Sequence, residues 1–191
     1  MTHPDLPFPL AGSTLIVGPS NVGKTRSTAD ALTAWLERDG TDGVVIFEFA
    51  PEVERDGRVL GGRLDRFVTP PADVWYGVLD AHAPRATAAD DDEALSLAAD
   101  NARRAAEVFD AAPPDPRAVF VNDATIPFQT PDPDADPDRL LDYCAGAEVA
   151  VLNALEADAL AGSDPVSRAE REALSAFRAR VDRVVRLDGE A

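Results

Sequence analysis

Residues 18–25 read Gly-Pro-Ser-Asn-Val-Gly-Lys-Thr, and their flanks restrict the fold more than any other part of the chain does. Before them stands Ser13–Val17 (STLIV), a short, wholly apolar run ended by Gly18, as expected of a strand buried on both faces of a parallel sheet. After them, from Thr25 to Asp39, Ala29, Leu32, Trp35 and Leu36 recur at helical spacing, with Gly40 placed just past the helix end. A strand, a glycine-bearing turn and a helix in that order frame a phosphate-binding loop of the pattern G-x-x-x-x-G-K-T. Gly18 and Gly23 let the span Pro19, Ser20, Asn21 and Val22 wrap a triphosphate with its N–H groups inward, and the helix N-terminus adds its positive end. Lys24 is placed to reach the β- and γ-phosphates, and the Thr25 hydroxyl to reach Mg²⁺.

Further along, Gly43–Phe49 (GVVIFEF) reads as a second buried strand and Arg66–Val68 as a third, weaker one. Val74, Trp75, Val78 and Leu79 suggest a short helix within Pro70–Pro84. Asp91–Ala111 is the longest helical pattern, and the aspartates at its start favour a helix N-terminus. Ala118–Val121 is another buried strand, running into Asn122 and Asp123. The aspartate- and proline-rich stretch at 130–138 reads as an exposed acidic loop, Leu140–Ala145 as a short helix, and Glu148–Asn153 as a strand followed by a short helix to Leu160. Ser167–Glu170 has the form of a capping box opening a helix through Arg178, and Val181–Leu187 alternates as a last strand. Strands alternating with helices predict a three-layer α/β fold with a mainly parallel central sheet. Residues 1–11 form an extended arm, and 12–191 a single domain.

The charge is lopsided: 35 acidic against 18 basic side chains, a net charge of −17, and Lys24 as the one lysine beside 17 arginines. An excess of short carboxylates with arginine in place of lysine suits a halophilic source, where molar salt leaves a Debye length of about 3 Å. The same charge argues against nucleic acid as a partner, because a phosphate backbone needs a basic stripe. One cysteine, Cys144, and two histidines, His3 and His82, provide neither an internal disulfide nor a zinc set, and Cys144 reads as a small buried hydrophobe. The proline-marked arm Met1–Leu10 lacks the apolar run of a signal peptide, and no stretch approaches the ~20 apolar residues of a membrane span. A soluble, cytoplasmic protein is therefore expected.

A phosphate loop needs a carboxylate for the metal at the end of a neighbouring strand, and Asp123 is the candidate. Glu48, closing the second strand, would position a water towards the terminal phosphate; Asn153, ending the fifth, would sense that phosphate. Arg63, Arg66 and Arg85 lie in loops that would serve as an arginine-rich lid, or else pair with the acidic surface. Guanine recognition through Asn-Lys-x-Asp is excluded, since the lone lysine is already in the phosphate loop.

The segments GSTLIVGPSNVGKT, VVIFEFAPE, VFVNDAT and VDRVVRL resemble the core of RecA/KaiC-type P-loop ATPases across roughly residues 12–187. The resemblance implies a RecA-like P-loop NTPase domain that binds ATP and Mg²⁺ and hydrolyses ATP, with Asp123 as the metal carboxylate and Glu48 as the first of a glutamate pair. The chain departs from the pattern at Phe49, where KaiC-like members carry the second glutamate, and at Asn122, where an apolar residue is usual; Pro51 and Glu52 continue the match. A weaker resemblance is to P-loop corrinoid adenosyltransferases. Three functions follow: an ATPase of modest rate; a nucleotide-binding regulatory or assembly subunit with little turnover, for which Phe49 speaks; and a transferase acting on a small molecule or corrinoid. A protein partner or homo-oligomer is compatible with each, and RecA-like relatives often complete their sites with an arginine from a neighbour.

Overall fold

The computed structural model describes residues 6–55, 58–60, 62–156 and 161–188. Strand β1 (Gly12–Gly18) leads through a five-residue loop, 19–23, into helix α1 (Lys24–Asp39), which ends at Gly40 with a positive φ of 79°. Strand β2 (Val44–Glu48) is followed by a two-stranded antiparallel hairpin, β3 (Val53–Arg55) and β4 (Arg58–Leu60), that the sequence pattern did not announce. Then come strand β5 (Trp75–Val78), the one-turn helix α2 (Pro84–Thr87), helix α3 (Asp91–Ala111) and strand β6 (Ala118–Asn122). Helix α4 (Pro137–Ala145), strand β7 (Val149–Leu155), helix α5 (Pro165–Arg180) and strand β8 (Arg183–Arg186) complete the order.

Six strands form one sheet in the order β5-β2-β6-β7-β1-β8, and every pairing in it is parallel. Residues of alternate parity fill two apolar layers. On one face Ile16, Ile46, Phe120 and Val151 pack against Ala29, Leu32 and Trp35 of α1, and Phe8 of the N-terminal arm joins them. On the other, Leu15, Phe47, Val121 and Leu152 pack against Ala105 of α3, Leu140 and Cys144 of α4, and Phe177 of α5. The three-layer α/β expectation is met. Cys144 is buried as expected, and its thiol is pushed up to about 12 by that burial. No helix among the described residues is long and apolar enough to cross a membrane.

Four expectations need correction. Arg66–Val68 is no strand: Leu64–Arg66 forms a 3-10 turn anchored by the fully buried Leu64, and the sheet edge beside β2 is taken by β5. The helix expected within Pro70–Pro84 is instead strand β5. Val74 and Tyr76 join the α1 face while Trp75 and Leu79 join the other, so pairing with β2 imposes a period of two on residues whose spacing suggested a helix. Gly77 belongs to this arrangement, since a Cβ there would fall 2.2 Å from the Trp75 ring. Helix α5 starts at Pro165 under an Asp164 cap that accepts from Ser167 N, leaving Ser167 and Glu170 buried inside the helix rather than forming its cap. Finally, β7 runs on through Leu155; the rest of the short helix expected up to Leu160 falls at 157–160, outside the described residues.

Candidate functional site

The site lies where a parallel sheet places crevices, at the carboxyl ends of its strands, with β1 and β6 separated by β7. At its last residue, Gly18, strand β1 passes close to the end of β8: a Cβ there would sit 2.3 Å from the Leu187 carbonyl oxygen. Asn21 and Gly23 then take left-handed φ values of 63° and 99°, and α1 begins at Lys24. The Lys24 ammonium donates to the Pro19 carbonyl at 2.6 Å, so the loop closes around its own lysine. Burial holds Lys24 below its ordinary value, and the nearby Asp123 charge opposes that shift.

Strands β2 and β6 end in the polar residues Glu48 and Asn122, and Asn153, two residues before the end of β7, continues the same cross-strand row; all three are fully buried on the α1 side. They form one relay. Asn153 Nδ2 donates to Thr28 Oγ1 of α1 at 2.9 Å and to Asn122 Oδ1 at 2.8 Å, while its Oδ1 accepts from Asp123 N at 3.0 Å. Asn122 Nδ2 donates to Glu48 Oε1 at 2.7 Å and to the Gly62 carbonyl at 2.8 Å. Glu48 also accepts from Ala50 N at 3.1 Å and Leu64 N at 2.7 Å. Burial nevertheless pushes its carboxyl up to about 7, against the pull of these donors. Asp123, next in the chain after this row, turns at a left-handed φ of 52°, its amide fixed by Asn153.

A cavity of about 470 Å³ opens over this floor. From the 19–23 loop and the start of α1 it is lined by Ser20, Asn21, Gly23, Lys24, Thr25 and Arg26. Asp123 faces it from the end of β6, and Arg66, Phe67, Arg85, Thr125, Gln129 and Glu170 form its other walls. Four of these residues are cationic and two are acidic, so the lining carries a positive balance inside a chain of charge −17. Asp123 is pushed up to about 6, first by burial and then by the Glu170 charge, with Lys24 and Arg85 acting the other way.

Of the residues expected from sequence, Ser20, Asn21, Gly23, Lys24, Thr25 and Asp123 thus meet at one cavity. Gly18, Pro19 and Val22 shape the loop without lining it. Glu48 and Asn153 lie beneath the cavity rather than on its wall: Asn153 orients Asp123, and Glu48 is enclosed by its three donors. Arg66 and Arg85 reach the cavity, whereas Arg63 lies nearest to Glu52 and Asp80, each at 3.8 Å. Sequence reasoning passed over Thr125, Gln129 and the role of Glu170. The signal for Glu170 was available, since it interrupts the apolar stripe Val166, Ala169, Ala173, Leu174 and Phe177 with a carboxylate.

No group of three or more histidine, cysteine, aspartate or glutamate side chains able to hold a metal ion occurs among the described residues. That arrangement is compatible with Mg²⁺, which is commonly held by one or two protein groups together with substrate phosphates and water. Thr25 and Asp123, on one cavity beside the only lysine, are the pair that would do so. No family model matches the chain, and no curated protein is significantly similar to it.

Proposed function

We propose that the chain is a Mg²⁺-dependent ATP-binding protein of RecA/KaiC-like type that hydrolyses ATP slowly. The observation carrying this reading is a G-x-x-x-x-G-K-T loop between β1 and α1 whose Lys24 shares a net cationic cavity with Thr25 and Asp123. The loop amides and the α1 N-terminus hold the phosphates, and Lys24 exchanges the Pro19 carbonyl for phosphate oxygens. Thr25 and Asp123 hold the metal, which when bound neutralises charge on the transferring phosphate. Asn153 keeps Asp123 in register by accepting its amide proton.

A regulatory subunit with little turnover is the second reading, favoured by the enclosed Glu48 carboxylate and by Phe49, which is fully buried in the aromatic core. Calorimetric titration of ATP with Mg²⁺ in molar KCl, together with phosphate release, separates the two on wild type, Lys24→Ala and Glu48→Gln. Lys24→Ala is expected to weaken ATP binding at least about tenfold, through loss of a charged hydrogen-bond donor. Equal affinity in Lys24→Ala and wild type would sink the nucleotide reading. Release that survives Glu48→Gln unchanged would remove Glu48 from the chemistry.

A further inference from the structure

Arg85 stands on the cavity wall away from the phosphate loop, at the second position of α2, and its side chain is 28% exposed. It is held by Glu170, whose side chain is 1% exposed although it projects from the middle of α5. A carboxylate so placed is costly unless it is ionically paired and hydrogen-bonded. Here both oxygens are occupied: Thr125 Oγ1 donates to Oε1 at 2.8 Å, while Gln129 Nε2, at 2.7 Å, and Arg85 Nη1 donate to Oε2. The Gln129 amide orientation follows, because a carboxylate oxygen accepts and only Nε2 can donate to it.

Among the described residues Glu170 is the single hydrogen-bond partner of the Arg85 guanidinium. Most of its five N–H donors are therefore uncommitted on a wall of the cavity that also holds Lys24. The other arginines of that lining are differently engaged. Arg66 pairs with Glu52 at 2.8 Å, and Arg26 lies over the exposed Phe67 ring at 5.8 Å. Three polar side chains contributed by the segment after β6 and by α5 thus serve to fix one cation that faces the phosphate-binding loop across a cavity. Asp123 lies within the electrostatic reach of both Lys24 and Arg85.

We infer that Arg85, braced by Glu170, Thr125 and Gln129, binds the terminal phosphate of the nucleotide, so that this chain distinguishes a triphosphate from a diphosphate with a cation of its own. The inference rests on nucleotide binding at the phosphate loop. It makes Arg85 a phosphate-binding residue and Glu170 a positioning residue. It also removes the need for an arginine from a neighbouring subunit.

The test is the ratio of affinities for a non-hydrolysable ATP analogue and for ADP, each with Mg²⁺, in wild type and two variants. Arg85→Met with Glu170→Gln removes both partners at once and leaves no unpaired buried charge, which protects the fold. Glu170→Gln alone keeps the guanidinium but loosens its seat. Wild type is expected to favour the analogue by roughly 10- to 100-fold, the range of one or two charged hydrogen bonds. In the double variant that ratio falls about tenfold with ADP affinity retained, and in Glu170→Gln it falls part of the way, in each case at a protein concentration that does not affect the ratio. A double variant with the wild-type ratio, or a wild-type ratio that depends on protein concentration, overturns the inference while nucleotide binding stands. Wild type that binds neither nucleotide overturns the nucleotide reading, and the role of Arg85 with it.

Discussion

Asn153 bonds three ways in a space without solvent. It accepts the Asp123 amide and donates to Thr28 and Asn122, and it is fully buried. Asn153→Ala strands a buried amide, a hydroxyl and a carbonyl together, and is expected to cost about 2–4 kcal/mol. Chemical denaturation measures this, and a loss below about 1 kcal/mol would mean that water replaces the side chain. Glu48 supplies a prediction of a different kind. Burial raises its carboxyl from the ordinary 4.5 to about 7, so between those values the native chain keeps a proton that the unfolded chain has released. The stability tied to that proton is full below about pH 4.5 and is lost as pH rises through about 7. Asp123, raised to about 6, acts in the same direction. The melting temperature is expected to fall between pH 5 and 8, and to fall less steeply in Glu48→Gln; parallel curves would show that Glu48 does not titrate in that window.

The elements show why some of this was legible in the sequence and some was not. Strand β1, the loop after it and α1 are readable because local pattern and tertiary need agree: an apolar run, a positive-φ glycine at each end of the helix, and a stripe that buries Ala29, Leu32 and Trp35. Strand β5 was not, because Val74, Trp75, Val78 and Leu79 repeat at a helical interval and only pairing with β2 decides between the two periods. Helix α5 was found but misread at its start, since Asp164 and Ser167 are both competent caps and the chain enters one turn earlier than the Ser-x-x-Glu pattern indicated. That error concealed Glu170, which as a capping residue would face solvent and as a mid-helix residue faces the cavity wall. Lys24 is legible from the G-x-x-x-x-G-K-T pattern, and Glu48, Asp123 and Asn153 from the ends of apolar runs. Which of them open to the cavity depends on strand parity combined with the loops that cover each end, and the Glu48 cover at Ala50 and Leu64 carries no local signature.

At the scale of the whole molecule, a charge of −17 sets two effects of salt against each other. Exposed ion pairs such as Arg103 with Asp100 and Glu107, or Arg180 with Asp138 and Asp142, weaken as salt rises. Repulsion among the surplus carboxylates weakens too, and with 35 acidic groups against 18 basic ones its relief outweighs the loss of the pairs. Raising KCl from about 0.1 M to about 2 M is therefore expected to raise the melting temperature by several degrees. A fall would show that the ion pairs outweigh the repulsion.

The parallel topology also fixes an order of assembly. Of the six strands in the main sheet β1 is synthesised first, yet its two neighbours are β7 and β8, which leave the ribosome last. The carbonyl of Gly18 accepts from Glu156 N, and Leu187 N donates to the Val17 carbonyl, so both edges of β1 are closed by residues from 149 onward. A growing chain accordingly carries the 18–25 loop through the making of five further strands before the strand that bears it gains its first neighbour, β7. The geometry of that loop is therefore set late, by contacts distant in sequence, and this part of the sheet is expected to form slowly.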